Sequence, residues 1–173
     1  MKNRYEVDGD VTRIFLIRRD GRVLVTLIDT EDLEAVSSCN WYAYWSKLGK
    51  SFYAYNQNLL MHRLIMKAPR GKQVDHINHN TLDNRKNNLR VVTSAQNNQN
   101  RSGARSDNRS SGIRGVTWSR QQKKWRARYM LNGIDYHVGF FDDLIEAAQA
   151  VKQARAKHMP YSYEAYERSY QNA

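Results

Sequence analysis

Asp75 and His76 stand side by side at the head of a segment, Val74 to Thr93, that is crowded with asparagine. Histidine is the side chain best suited to take a proton from water near neutral pH. A carboxylate beside it holds a hard dication such as Mg2+, which prefers oxygen ligands and keeps several waters, so two protein oxygens suffice. At a strand end neighbouring side chains diverge, leaving one for a metal and the other for a water. Hydrolysis of a phosphodiester needs that equipment: a nucleophilic water, a cation on the phosphate and stabilisation of the leaving oxygen. His76 and His79 also have an H-x-x-H spacing, but a closed four-ligand zinc site has little support in a chain with one cysteine, Cys39. His62 reads as a helix residue supporting the site and His158 as structural. Trp41, Trp45, Tyr53 and Tyr55 read as strand packing.

Charge placement names the partner class. The chain of 173 residues has a formal charge of +11 and a pI near 9.9. Residues 1–60 are net 0, 61–96 net +5, 97–111 net +2, 112–137 net +5 and 138–173 net −1. The excess is thus confined to 61–137, and a localised cationic block attracts phosphates and releases counterions from nucleic acid. Mean hydropathy is −0.82, and no apolar run approaches the ~18–20 residues of a membrane span. The start, MKNRYEVDGD, has no apolar signal core, so the expectation is a cytoplasmic protein, of a bacterial or phage-infected cell, that is not secreted. A single cysteine excludes an intrachain disulfide.

These residues need elements to position them. Val11–Ile17 and Arg22–Ile28 are β-branched runs around a turn at Arg18-Arg19-Asp20-Gly21. Asp29 or Thr30 caps a short helix through Leu33 and Val36. Trp41–Trp45 and Ser51–Tyr55 read as strands, Leu59–Lys67 as a helix ended by Pro69, and Val74–Ile77 as a strand. The asparagines of 78–100 predict a long loop pinned by side chains, with Leu89–Val92 a short strand and Ser94–Arg101 opening a helix. RSGARSDNRSS, 101–111, reads as a flexible basic linker. Beyond it Gly115–Trp118, Trp125–Met130 and Tyr136–Phe140 read as strands. Asp143, with Glu146 three residues on, caps a helix carrying Leu144, Ala147, Ala148, Val151 and Ala154 at helical spacing. Trp125, Ala127 and Tyr129 share one strand face and Arg126, Arg128 and Met130 the other. The tyrosine-rich tail 161–173 shows no clear period.

The Asp75-His76, Asp83-Asn84-Arg85, Asn88-Leu89-Arg90 and Gln96-Asn97-Asn98 elements closely resemble the signature of HNH endonucleases, in its His-Asn-Asn variant and phage or homing branch; Met61-His62-Arg63-Leu64-Ile65 resembles the helix leading into it. The resemblance spans residues 10–101. It implies a ββα-metal site with His76 as general base and Asp75 as first metal ligand. Asn97 would supply the second metal oxygen, from Mg2+ or Mn2+, and Asn88 would pin the loop and orient His76. Asn84 and Arg85 would brace the same loop or touch phosphate. His79 stands where the family usually has glycine, either disturbing the turn or using a residue tolerant of left-handed backbone.

Ile113-Arg114-Gly115-Val116, Lys124-Trp125-Arg126 and Gly139-Phe140-Phe141-Asp142, with the alanine-rich helix, resemble an APETALA2/ERF-type domain over 111–160. That resemblance implies an exposed sheet face in the major groove of duplex DNA, with Arg114, Thr117, Arg120, Lys124, Arg126, Arg128 and His137 as contacts; Arg85 and Arg101 are added from the first part. Asp135 and His137 replace the Arg and Trp common in the plant proteins, so base specificity does not transfer.

The expected fold class is therefore α+β: a ββα-metal module with a β-rich N-terminal region (1–100), the linker (101–111), a three-stranded antiparallel sheet on one helix (112–160) and a tail (161–173). The expected function is metal-dependent cleavage of double-stranded DNA, nicking and homing-type, by a monomer or weak dimer with neither membrane nor small-molecule cofactor. A DNA-binding protein that has lost catalysis is the alternative.

Overall fold

The alternation of Val11–Ile17 dictates a half-buried strand. The computed structural model, which describes residues 1–104 and 106–171, has Thr12, Ile14 and Leu16 inward and their neighbours outward. This strand, β2, lies between β1 (Tyr5–Asp8), which the residue pattern did not announce, and β3 (Val23–Asp29) in an antiparallel meander. Its register sets Ile14 opposite Thr26 and Thr12 opposite Ile28, so the buried residues of both strands share one face. The chain then runs through a 3-10 turn (Thr30–Asp32) and α1 (Leu33–Ser37) into β4 (Tyr42–Ser46), β5 (Ser51–Asn56) and β6 (Leu59–Leu60), a second meander.

The expected helix over Leu59–Lys67 is shorter than its apolar pattern suggests. Leu59 and Leu60 pair with Asn56 and Tyr55 instead, and α2 spans only Met61–Ile65 before Lys67 turns left-handed at φ 45°. Strands β7 (Gln73–His76) and β8 (Leu89–Val92) pair antiparallel, with Asp75 opposite Arg90 and His76 opposite Leu89. One core unites these pieces: Ile14, Leu16, Ile28, Val36, Trp41, Ala54, Met61, Ile65 and Leu89.

The chain divides into two compact units, Met1–Ser94 and the residues from Ala95 onward. The division falls inside α3 (Ser94–Gln99). The second unit holds β9 (Val116–Ser119), β10 (Lys124–Leu131) and β11 (Ile134–Phe141), an antiparallel sheet in the order β11-β10-β9, and α4 (Leu144–His158). The Asp143 side chain caps α4, accepting from the backbone N–H groups of Ile145 and Glu146 at 2.7 and 2.9 Å. Val116 and Ala127 of the sheet pack on Ala147 and Val151 of the helix.

Two expectations change here. The tail is a helix, α5 (Tyr163–Gln171), and Arg155 of α4 donates to its Glu164 at 2.9 Å. The end of the expected linker is tied down as well: the Asn108 amide donates to the carbonyls of Ile113 and Val116, both at 2.8 Å. The turn into β9 demands glycine. Gly115 sits at φ 83°, and a Cβ there would lie 2.3 Å from the carbonyl oxygen of Arg128. Gly115→Ala should therefore destabilise the second unit by more than about 1 kcal/mol in chemical denaturation. Gly133→Ala has a similar φ of 82° but nothing within 4 Å of the added Cβ, and should cost less.

Candidate functional site

Asp75 and His76 end β7, and the loop that follows returns to β8 with little regular backbone pairing. Its polar groups must be satisfied one at a time, and the asparagines do this. Asn88 Oδ1 accepts from Asn78 N at 2.9 Å while its Nδ2 donates to Asp83 O at 2.8 Å. Asn80 and Asn78 close short turns on Leu82 N and Asn80 N. Leu27 N donates to Leu82 O and Asn84 N donates to Leu27 O, both at 2.8 Å, so residues 82–84 lie along β3 like a short extra strand. His79 adopts φ 64°, a left-handed turn without glycine.

His76 is buried, and its Nε2 lies 3.1 Å from Asn84 Oδ1. The direction of that bond follows from its neighbours. Thr26 Oγ1 donates its one proton to Leu82 O at 2.8 Å, so it accepts from Asn84 Nδ2 at 2.7 Å. Asn84 must then turn its oxygen toward His76, and His76 must carry its proton on Nε2. The basic lone pair of the neutral imidazole is thereby assigned to Nδ1. Burial pulls the His76 pKa below its ordinary value, against the Asn84 bond and the nearby Asp75 and Asp83, which push it up.

His62 of α2 lies edge-on to His76, ring centroids 4.9 Å apart, and the Tyr53 ring flanks both at 5.7 and 6.1 Å. Burial, and then the proximity of His76 and Arg63, pulls the His62 pKa down to about 3, so it is a neutral wall. Asp75 is buried too, and Arg90, its cross-strand partner, donates to Asp75 Oδ2 from Nε at 2.9 Å and Nη2 at 2.7 Å. Arg85 grips both oxygens of Asp83 at 2.8 Å; burial raises that carboxyl, but the pair with Arg85 outweighs it and holds the pKa below the ordinary value.

Asp75, His76, Asn84 and Asn88 thus gather within the first unit, while Asn97 lies on α3 of the second. Oxygen donors of this type suit a hard dication, with Arg90 as a competitor at Asp75 Oδ2. Sequence reasoning missed one acidic group. Asp29, Glu31 and Asp32 have ligand-type atoms within 4.8 Å of one another, and Lys86 reaches Glu31 at 2.7 Å and Asp32 at 2.8 Å. The Lys86 ammonium offsets part of the charge of this group, and it ties the loop to the turn after β3.

The expected DNA contacts of the second unit fall into three sets. Arg114 is turned toward its own chain: its guanidinium donates to the carbonyls of Asn98 at 3.1 Å and Gln99 at 3.0 Å, and to that of Arg101, closing the last turn of α3. Burial, and then Arg155, lowers its pKa to about 10. The Arg101 carbonyl serves that same cap. Arg126 and Arg128 do share the face away from α4, as the alternation required, with Thr117 opposite Arg126 and His137 opposite Arg128. Asp135 lies among them, 2.7 Å from Arg128 and 3.5 Å from Arg126, and Lys124 pairs with Asp142 at 2.9 Å. Arg120 is exposed.

Residues 60–99 match the family model described as HNH endonuclease. An uncharacterized HNH endonuclease of Acanthamoeba polyphaga mimivirus is 29% identical over 144 residues, 78% of this chain and 71% of that protein. Protein 3.8 of Escherichia phage T7 is 29% identical over 90 residues, 52% of this chain and 73% of its own length. No solved structure matches. No described helix is long and apolar enough to cross a membrane.

Two measurements test this geometry. Nitrogen-15 NMR should find His76 protonated on Nε2 and bare on Nδ1 at neutral pH, and Thr26→Val should collapse that preference into a mixture while Thr26→Ser keeps it. The second concerns His62. Its folded pKa lies below the unfolded value near 6.5, so the unfolded chain binds the extra proton and stability, full above pH 6.5, falls as pH drops. The slope should reach about 1.4 kcal/mol per pH unit for this group, and His62→Gln should remove that component from denaturation curves between pH 6.5 and 5.

Proposed function

We propose that this chain is a metal-dependent endonuclease that hydrolyses phosphodiester bonds of duplex DNA, the first unit cutting and the second binding. The observation that carries the reading is the directional chain Leu82–Thr26–Asn84–His76, which presents a neutral imidazole with its lone pair on Nδ1; His76, Leu82 and Asn84 lie inside the stretch that matches the HNH family model, and Thr26 reaches them from β3. His76 takes a proton from water at Nδ1, and the water oxygen bonds to phosphorus as the bond to the leaving oxygen breaks. Asn84 and Thr26 hold the ring in that tautomer throughout. His62 and Tyr53 exclude bulk water from one side of it. Asn88 keeps the loop closed on Asp83. Mg2+ or Mn2+ bound at Asp75 would supply positive charge to the phosphate and the departing oxygen. Asn97 keeps the role of second oxygen donor on the resemblance alone.

For the second unit we keep the APETALA2/ERF-like reading of the sheet face. Thr117, Arg120, Lys124, Arg126, Arg128 and His137 are the contacts, and Arg114 supports the fold. Exposed ion pairs such as Arg128–Asp135 contribute little to stability and exchange readily for phosphate. One catalytic site attacks one strand, so a monomer nicks.

Conversion of supercoiled plasmid with Mg2+ or Mn2+ tests the reading. Wild type should give open circles, and His76→Ala should lose the activity by at least about 100-fold while still binding DNA. Tight binding without cleavage by wild type would favour the inactive DNA-binding alternative, and equal cleavage by both proteins would remove His76 from the role of base.

A further inference from the structure

One surface of the first unit extends beyond the chemistry above, which uses only its Tyr53. In the β4–β5 hairpin, Ala43 and Ala54 face the core. The register therefore puts Tyr42, Tyr44, Tyr53 and Tyr55 together on the opposite face, Tyr42 opposite Tyr55 and Tyr44 opposite Tyr53. Tyr42 and Tyr44 are 57% and 50% exposed, and the rings of Tyr44 and Tyr55 lie 5.2 Å apart. This row does not end in solvent, because Tyr53 touches the ring of His76. At that same end the turn Lys47-Leu48-Gly49-Lys50, whose Gly49 lies against the Tyr53 hydroxyl, leaves Leu48 100% exposed between two exposed lysines. The charge is one-sided: from residue 35 to residue 74 there is no carboxylate, while Lys47, Lys50, Arg63, Lys67, Arg70 and Lys72 are all cationic.

Exposed aromatic rows are expensive in water and mark interaction surfaces. Tyrosine faces suit sugars and bases, lysines suit phosphates, and a bare aliphatic side chain between basic residues suits a base step opened from the groove. We propose that the β4–β5 hairpin is a DNA-docking finger of the cutting unit, its tyrosine row laid along the duplex beside the scissile phosphate and its lysine-flanked Leu48 seated at a base step. The occupant is the duplex substrate of the function proposed above, on which this inference rests. The continuity of the row with His76 and the absence of any acid from the surrounding forty residues favour that occupant over a protein partner. The finger would fix the position of the phosphate relative to Nδ1, a task for which the His76 loop alone has little surface.

The test uses the full chain, with circular-dichroism melts to show that each variant folds. Plasmid nicking is read as KM and kcat, and binding to a random-sequence duplex is read in EDTA across a salt series. Tyr42→Ala/Tyr44→Ala and Leu48→Ala should each raise KM and Kd about 10-fold, the loss falling on KM rather than kcat, and Tyr42→Phe/Tyr44→Phe should restore most of it. Lys47→Ala/Lys50→Ala should lower the slope of log Kd against log salt by about 2. Unchanged KM, Kd and salt slope in variants of an actively cutting wild type would overturn the finger and leave the nuclease intact, as would a loss confined to kcat. If wild type does not cut, the nuclease reading fails by itself, and the EDTA binding series still decides the finger.

Discussion

A buried imidazole whose Nε2 meets an amide oxygen is oriented only as well as that amide is, and much of the architecture of the first unit follows from that constraint. The amide oxygen fixes the orientation of the ring and pushes its pKa up, and burial outweighs that push and keeps the pKa below the ordinary value. The amide must in turn be oriented, which is the task of Thr26 in a strand that also lends its backbone to residues 82–84. The first meander is thus more than a scaffold, because its third strand sets which nitrogen of a distant histidine is basic. The acidic group after that strand, gripped by Lys86, fastens the other side of the same loop.

Local signals in the sequence were readable where local chemistry decides. The Asp143 cap, the turn before Gly21 and the two faces of β10 depend on neighbours within a few residues, and all are visible in the pattern. The asparagine density announced a side-chain-pinned loop for the same reason. Legibility ended where a distant partner decides. Leu59 and Leu60 look helical until the open edge of β5 takes them. The tail has little period of its own, and α5 is joined to α4 by Arg155–Glu164 and Lys152–Glu167. Arg114 in a basic run reads as a phosphate ligand, since nothing in its neighbourhood says that carbonyls more than a dozen residues back will claim it.

The candidate DNA face of the second unit is charged but not idle. Asp135 sits between two arginines on an exposed surface, so a phosphate or base that approaches Arg126 or Arg128 exchanges with a carboxylate, readily but not without offset. Such a face is weaker toward phosphate in general than its arginine count suggests. Its preference therefore rests more on partners that reward both signs, such as a base pair with donor and acceptor edges.

The cap on α3 bears on how such a chain could be assembled from parts. The stretch that looks like a natural joint, 101–111, lies between the helix and the guanidinium that closes it. A recombination event there would deliver a first part whose last helix ends in carbonyls without their donor, and a second part with an arginine cut off from them. Shuffling by exchange in the linker is thus penalised at both ends, whereas a crossover ahead of α3 moves helix and cap together. The hereditary piece that carries the second unit is longer than its sheet and helix, and it begins inside the stretch that matches the HNH family model.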